Sequence, residues 1–273
     1  MPIRLTNPHS ILAVLERRPQ DIHWIAVPRG GGSHAWKRAA ERAIELSIRV
    51  LSSETELTGA TRAAGPAGKG KGRAAPKSGR EGGGVAEVRE RSPVSLEELF
   101  RGAEAGGEEP AGTYGLWLAL DCVQDPHNLG AIFRTAAFFG VRGIVLPADR
   151  TAPLNDTVYD VASGGVEFVP FAVTPNLRRA LDEARKSGLW VLGSSEHAEI
   201  DLNAVDRDRP WILVLGNEEL GLRRLTQDAC DVICRITPRG AVGSLNVSVA
   251  AGIFMAALTG GRIFEKASSH DKF

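Results

Sequence analysis

Three short polar clusters in the second half of the chain carry residue types able to bind or transfer a charged group. The first is Asp125-Pro-His-Asn-Leu-Gly-Ala-Ile-Phe-Arg-Thr-Ala, in which Asn128 precedes Arg134 by nearly two helical turns. Arginine offers a fixed fork of donors suited to phosphate, although the pair by itself fits a surface ion pair equally well. The neighbouring His127 has no partner nearby in the sequence and reads as a loop residue. The second cluster is Gly216-Asn-Glu-Glu-Leu-Gly221, with Glu218 between two glycines that allow a tight turn and close ligand approach. A helix start would also favour a glutamate through its dipole, but that does not account for both glycines. The third runs from Ser244-Leu-Asn-Val-Ser into Val-Ala-Ala-Gly-Ile-Phe-Met-Ala-Ala-Leu-Thr259. Hydroxyls and an amide here lead into an uncharged, small-residue helix. Its N-terminus would present free N–H groups and Ser244 to a ligand, or serve only as an ordinary capped core helix.

These clusters need elements to hold them, and each follows a predicted strand: Leu116–Leu120, Trp211–Leu215 and Val232–Ile236. Further strands are expected at Gly143–Leu146, Phe168–Val173 and Leu189–Leu192, with helices at Asn128–Phe139, Asn155–Ala162 and Asn176–Ser187. Strands alternating with helices imply an α/β fold with a mostly parallel sheet covered on both faces. In such sheets ligands bind beyond the carboxyl ends of the strands, where all three clusters fall.

The first half reads as a smaller α/β module. A helix is predicted over His9–Arg18, a strand over Ile22–Val27, and a second helix capped by Ser33 and running to Leu46. Short strands follow at Ile48–Leu51 and Val85–Val88, and Ser95 with Glu98 has capping-box spacing. The triple glycine Gly30–Gly32 lacks the dinucleotide fingerprint and reads as a flexible loop. Residues 60–84 change character, and between Arg62 and Arg80 there are six basic residues and no acidic ones. This segment cannot bury enough apolar surface to order itself. It reads as a disordered basic insertion, either a solvated spacer or an arm for RNA phosphates. The resulting layout is a module at 1–104, a linker at 105–113 and a larger domain at 114–273.

Composition excludes some classes. The formal net charge is zero, so overall electrostatics point to no nucleic-acid partner. Cys122, Cys230 and Cys234 form no disulfide framework and read as core thiols rather than metal ligands. No apolar run approaches a membrane span and no signal pattern opens the sequence, so a soluble cytoplasmic protein without metal is expected.

Taken together, the Asp125 run, Val214-Leu-Gly-Asn-Glu-Glu-Leu-Gly-Leu and Ile236-Thr-Pro through Ser244-Leu-Asn-Val-Ser-Val-Ala resemble the three motifs of the SpoU (TrmH) family of RNA ribose 2′-O-methyltransferases. The likeness covers about residues 114–260 in order, spacing and position after strands. Glu219 departs from it, since a glycine is frequent there. The first 100 residues look more loosely like the RNA-binding domain of members that modify 23S ribosomal RNA, with the basic insertion as a departure.

The resemblance implies a SPOUT-type domain whose C-terminal segment is threaded into a trefoil knot, which sequence physics alone would not suggest. It implies S-adenosylmethionine as cofactor, held by Gly193, Leu215, Gly216, Ile236 and Leu245. It also implies a homodimer with its active site near the subunit interface. Asn128, Arg134, Glu218, Ser244 and Asn246 fall on catalytic positions. An arginine is often proposed as the base at the position of Arg134, but a guanidinium stays protonated, which favours a cation holding phosphate and stabilising the forming alkoxide. Asn128, Ser244 and Asn246 would then orient Arg134 and the ribose, and Glu218 would fix that network. The implied substrate is a guanosine in the peptidyl-transferase region of 23S ribosomal RNA. A transfer-RNA ribose, an adenosine of 23S RNA methylated for antibiotic resistance, and a non-catalytic RNA-binding role are the alternatives.

Overall fold

The computed structural model describes residues 2–51, 83–103, 114–217 and 220–259. The core of the molecule is a seven-stranded sheet, parallel at every pairing. Its strands are β5 (Leu116–Leu120), β6 (Gly143–Pro147), β7 (Phe171–Thr174), β8 (Trp190–Ser194), β9 (Ile200–Asp201), β10 (Trp211–Leu215) and β11 (Val232–Arg235). Their spatial order is β7-β6-β5-β10-β8-β11-β9, so β10 lies between β5 and β8.

The apolar runs of β5 and β10 are continuous because both faces of these strands are buried. Leu116, Leu118, Leu120, Leu213 and Leu215 join one core. Trp117, Ala119, Ile212 and Val214 join the other. On the first face pack α4 (Pro126–Phe138), α5 (Asp156–Ala162), α6 (Gly165–Phe168) and α9 (Val247–Leu258), and on the second α3 (Leu96–Leu99), α7 (Leu177–Lys186) and α8 (Arg224–Gln227).

A four-stranded sheet forms the N-terminal module, in the order β1 (Pro2–Leu5), β4 (Val85–Arg89), β2 (Ile22–Ala26), β3 (Val50–Leu51). The helices α1 (Pro8–Arg17) and α2 (His34–Glu45) belong to this module. Its apolar residues Leu5, Ile11, Val14 and Ile25 are continuous with the first core of the large sheet. Residues 94–103 attach to the large sheet instead. The Val94 amide donates to the Phe171 carbonyl, and Leu99 and Phe100 pack with Trp117.

Several local expectations shift. Ser33 occupies the N-cap position of α2 but makes no capping hydrogen bond with its side chain. The strand expected over Phe168–Val173 begins only at Phe171, because Gly165–Phe168 is a helical turn. The last helix starts at Val247, where the Asn246 side chain caps it by accepting from the Ser248 amide, so Ser244 lies before its first turn. The expected cap Ser95 does accept, from Glu98, while Asn155, expected as the first helical residue, proves to be the N-cap and accepts from Val158. No helix of the described residues is long and apolar enough to cross a membrane, and among them no group of His, Cys, Asp or Glu is arranged to hold a metal.

Candidate active site

The carboxyl ends of β5, β10 and β11 converge on one side of the sheet, and specific bonds join the segments that follow them. After β5, Cys122 turns the chain with φ +66°, a left-handed conformation costly for a residue with a side chain. Asp125 then caps α4 by accepting from the His127 amide at 2.8 Å, and Pro126 begins the helix. Asn128 lies on the first turn and is 8% exposed.

After β10 the chain makes a tight loop closed by paired backbone bonds between Asn217 and Gly221, at 3.1 and 2.9 Å. A Cβ on Gly216 would lie 2.4 Å from the Gly221 carbonyl carbon, so only glycine permits this closure. The Asn217 amide nitrogen Nδ2 donates to the Cys122 carbonyl at 3.2 Å, tying the second cluster to the first. Glu218 lies outside the described residues, as do residues 60–82 of the basic insertion and the expected linker 105–113.

A further link between these segments has no counterpart among the residues picked from the sequence. Asp121, fully buried, accepts from the Arg223 side chain at 2.6 Å and from the Arg223 amide at 3.0 Å. The Arg223 side chain is itself 43% exposed, so the arginine reaches in from the surface to neutralise a buried carboxylate. An acid directly at a strand end was the only available signal, and Arg223 sits far along the chain. The Cys122 thiol beside this pair is pushed above its usual pKa by burial and by the Asp121 carboxylate.

After β11 the chain runs through a loop to Asn246, the cap of α9. Its Nδ2 donates to Asn128 Oδ1 at 2.9 Å, which joins the third cluster to the first. Between the second and third clusters opens a cavity of about 420 Å³. Leu215, Gly216, Ile236, Ser244 and Leu245 line it, with Ser194 at the end of β8. Gly193 does not. A Cβ there would meet Cys230 Sγ at 2.7 Å, so the glycine makes room for the chain entering β11. Arg134 is exposed, lies outside this cavity, and makes no hydrogen bond or ion pair among the described residues.

Arg235 also lines the cavity, and its buried Nε has no acceptor among the described residues. A buried donor of this kind is costly unless a ligand completes it. Leu222, Val247 and Phe254 supply apolar wall, and Asn217 and Gln227 supply polar groups. That combination fits a ligand with a flat apolar part and a carboxylate, as S-adenosylmethionine has.

The comparisons agree with this geometry. The model of the SpoU rRNA Methylase family matches residues 115–256. A 23S rRNA (guanosine-2'-O-)-methyltransferase RlmB of Nitrosomonas europaea is 38% identical over 90% of this chain and 86% of its own length. The protein of that name from Ralstonia nicotianae is 41% identical over 90% of both chains. Among solved structures, the SpoU methyltransferase AviRb from Streptomyces viridochromogenes, crystallised with AdoMet, superposes with a TM-score of 0.71 over 97% of this chain and 92% of its own, at 20% identity. At that identity the likeness speaks for the fold. The matched residues begin one position before β5 and end within α9, and so span all three linked clusters and the cavity between them. This chain belongs to the SpoU rRNA methylase family.

Proposed function

We propose that this chain transfers a methyl group from S-adenosylmethionine to the ribose 2′-oxygen of a guanosine in 23S ribosomal RNA, in the peptidyl-transferase region. The observation that carries the reading is the meeting of the three clusters: Asn246 bonded to Asn128, Asn217 bonded to the turn after β5, and the cavity between the second and third. The names of the full-length relatives support the guanosine and the ribosomal RNA. The action on ribosomal RNA sets the place of work in the cytoplasm.

S-adenosylmethionine supplies a methyl already activated on a sulfonium, so the protein's part is to position and polarise. Leu215, Gly216, Ile236 and Leu245 hold the cofactor, mainly through backbone and apolar contact. Arg134 binds the phosphate beside the target and stabilises the oxygen as its proton leaves. Asn128, Ser244 and Asn246 orient the ribose, and Glu218 fixes the network around Arg134.

The active unit is a homodimer. Phe138 on α4 is 82% exposed, and Val249 and Ile253 on the adjoining α9 are exposed as well. An apolar face of this kind on two packed helices suits a second copy. Such a copy would cover Arg134, which its own chain leaves in solvent. The fold reading also includes a knotted C-terminal segment, and the late strands β10 and β11 placed inside the sheet support it.

Purified protein, labelled S-adenosylmethionine and either 23S RNA or transfer RNA give the direct test. Methyl transfer is expected at one 23S guanosine. Arg134→Lys keeps the charge but loses the fork, so turnover should fall about 100-fold while cofactor binding survives. Near-normal turnover in that variant refutes the role given to Arg134.

A further inference from the structure

The N-terminal module is not loosely attached to the catalytic domain. Arg18, at the end of α1, forms a two-pronged pair with Glu167 on α6, with Nε to Oε2 at 2.7 Å and Nη2 to Oε1 at 2.8 Å. Both side chains are almost fully buried, 9% and 1% exposed. Around the pair, Arg91 donates to the carbonyls of Val166 and Val169, and its amide donates to the Tyr159 hydroxyl. Asp160 accepts from the backbone amides of Thr6 and Asn7, and the Ser10 hydroxyl donates to the Tyr159 carbonyl. Every bond in this set ends on α5, α6 or the residue after α6.

The other side of α6 faces the helix that carries Arg134. Two adjacent glycines make this possible. A Cβ on Gly164 would lie 2.8 Å from the Ala13 Cβ of α1. A Cβ on Gly165 would lie 2.5 Å from the Phe133 carbonyl oxygen and 2.9 Å from the Arg134 Cα. The start of α6 is therefore squeezed between the N-terminal module and the backbone of Arg134, with no side chain as padding on either side. Close-packed interiors transmit displacements of this kind instead of absorbing them.

We propose that Arg18, Glu167 and Gly165 are positioning residues for Arg134: the buried pair seats the N-terminal module on α6, and α6 sets the backbone from which Arg134 projects. The inference rests on the reading of Arg134 as a group that meets the RNA. On this account the module does more than add RNA affinity, because its seating is part of the active-site geometry. Arg18 and Glu167 touch neither substrate nor cofactor.

The test uses the full-length protein with 23S RNA and measures single-turnover rate, RNA affinity, cofactor affinity and melting temperature. Gly165→Ala keeps both charged residues of the pair but pushes α6 away from Arg134. It should lower the single-turnover rate about 10- to 100-fold, with RNA and cofactor affinities unchanged within about twofold. Glu167→Gln should lower the rate similarly. Arg18→Met combined with Glu167→Leu should recover most of that loss, since apolar groups of similar size can replace a buried pair.

A folded Gly165→Ala protein with the wild-type rate overturns the proposal. So does a double variant that melts like the wild type yet stays as slow as Glu167→Gln. If Glu167→Gln does not fold, Gly165→Ala and the double variant decide. Arg134→Ala separates this proposal from the reading beneath it. Retained turnover there defeats the role of Arg134, whereas a dead Arg134→Ala beside an unaffected Gly165→Ala defeats only the positioning.

Discussion

Three hydrogen bonds meet on the Asn246 side chain, two from Ser248 that cap α9 and one to Asn128 that joins the clusters, and substitution can separate the cap from the link. Its Oδ1 accepts from the Ser248 amide at 2.9 Å and caps α9, while its Nδ2 donates to Asn128 at 2.9 Å and holds the third cluster to the first. Asn246→Ala loses both. The cap is worth about 1 kcal/mol. The second bond, made by an exposed residue, is worth about 1 kcal/mol. Their combined loss of about 2 kcal/mol corresponds to a melting temperature lower by about 4–8 °C for a chain of this size. Asn246→Ser keeps a capping oxygen but cannot reach Asn128, so the drop should be about half as large. Both variants lose the link between clusters, so both should transfer methyl about 10- to 100-fold more slowly. Scanning calorimetry and single-turnover methyl transfer measure the two effects separately. The reasoning fails if the serine and alanine variants melt alike, or if Asn246→Ser keeps the wild-type rate.

Arg235→Met should weaken S-adenosylmethionine binding about tenfold, the worth of one charged hydrogen bond. Binding of 5′-methylthioadenosine, which lacks the carboxylate, should be unchanged, and calorimetry showing equal losses for both ligands refutes the assignment. Deleting residues 62–80 removes six cations. If all six meet phosphates, the slope of log affinity against log salt should flatten by about four; an unchanged slope makes the segment a spacer. Burial raises the Tyr159 hydroxyl to about 12 from its usual 10. The folded protein therefore keeps a proton that the unfolded chain loses, and this contribution to stability is present below about pH 10 and lost as the pH rises toward about 12. Burial lifts Cys230 and Cys234 to about 12 as well, so they add to the same fall. Urea unfolding at pH 9 and pH 11 should show a smaller drop for Tyr159→Phe than for the wild type, and equal drops refute the origin given.

What was legible in the sequence follows from how local its causes are. The strands at Leu116–Leu120 and Trp211–Leu215 were read to the residue, because a run buried on both faces is apolar throughout. Asn155 and Asn176 were read as helix starts, and each caps its helix through a bond three residues away, which is a local cause. The two-residue β9 and the four-residue α8 carry too little pattern to notice. Of the site, Leu215, Gly216, Ile236 and Leu245 were placed around the cavity through the family resemblance, and they line it. Gly193 was placed there too, but the reason for its glycine is Cys230, a contact between distant segments. Asp121 with Arg223, and Arg18 with Glu167, were missed for the same reason. Charge pairs so far apart in sequence leave no spacing to recognise.

The position of β10 also bears on how the protein is made. β5 and β8 leave the ribosome before the strand that separates them, and β11 must likewise enter between β8 and β9. Until then both half-sheets expose unpaired edges, and their closest approach to each other would be a wrong pairing. Pairings this distant in sequence close slowly and leave sticky intermediates. A nascent chain paused before Trp211 would still expose both edges, and the cavity lined by Leu215, Ile236 and Leu245 can form only after those residues have emerged.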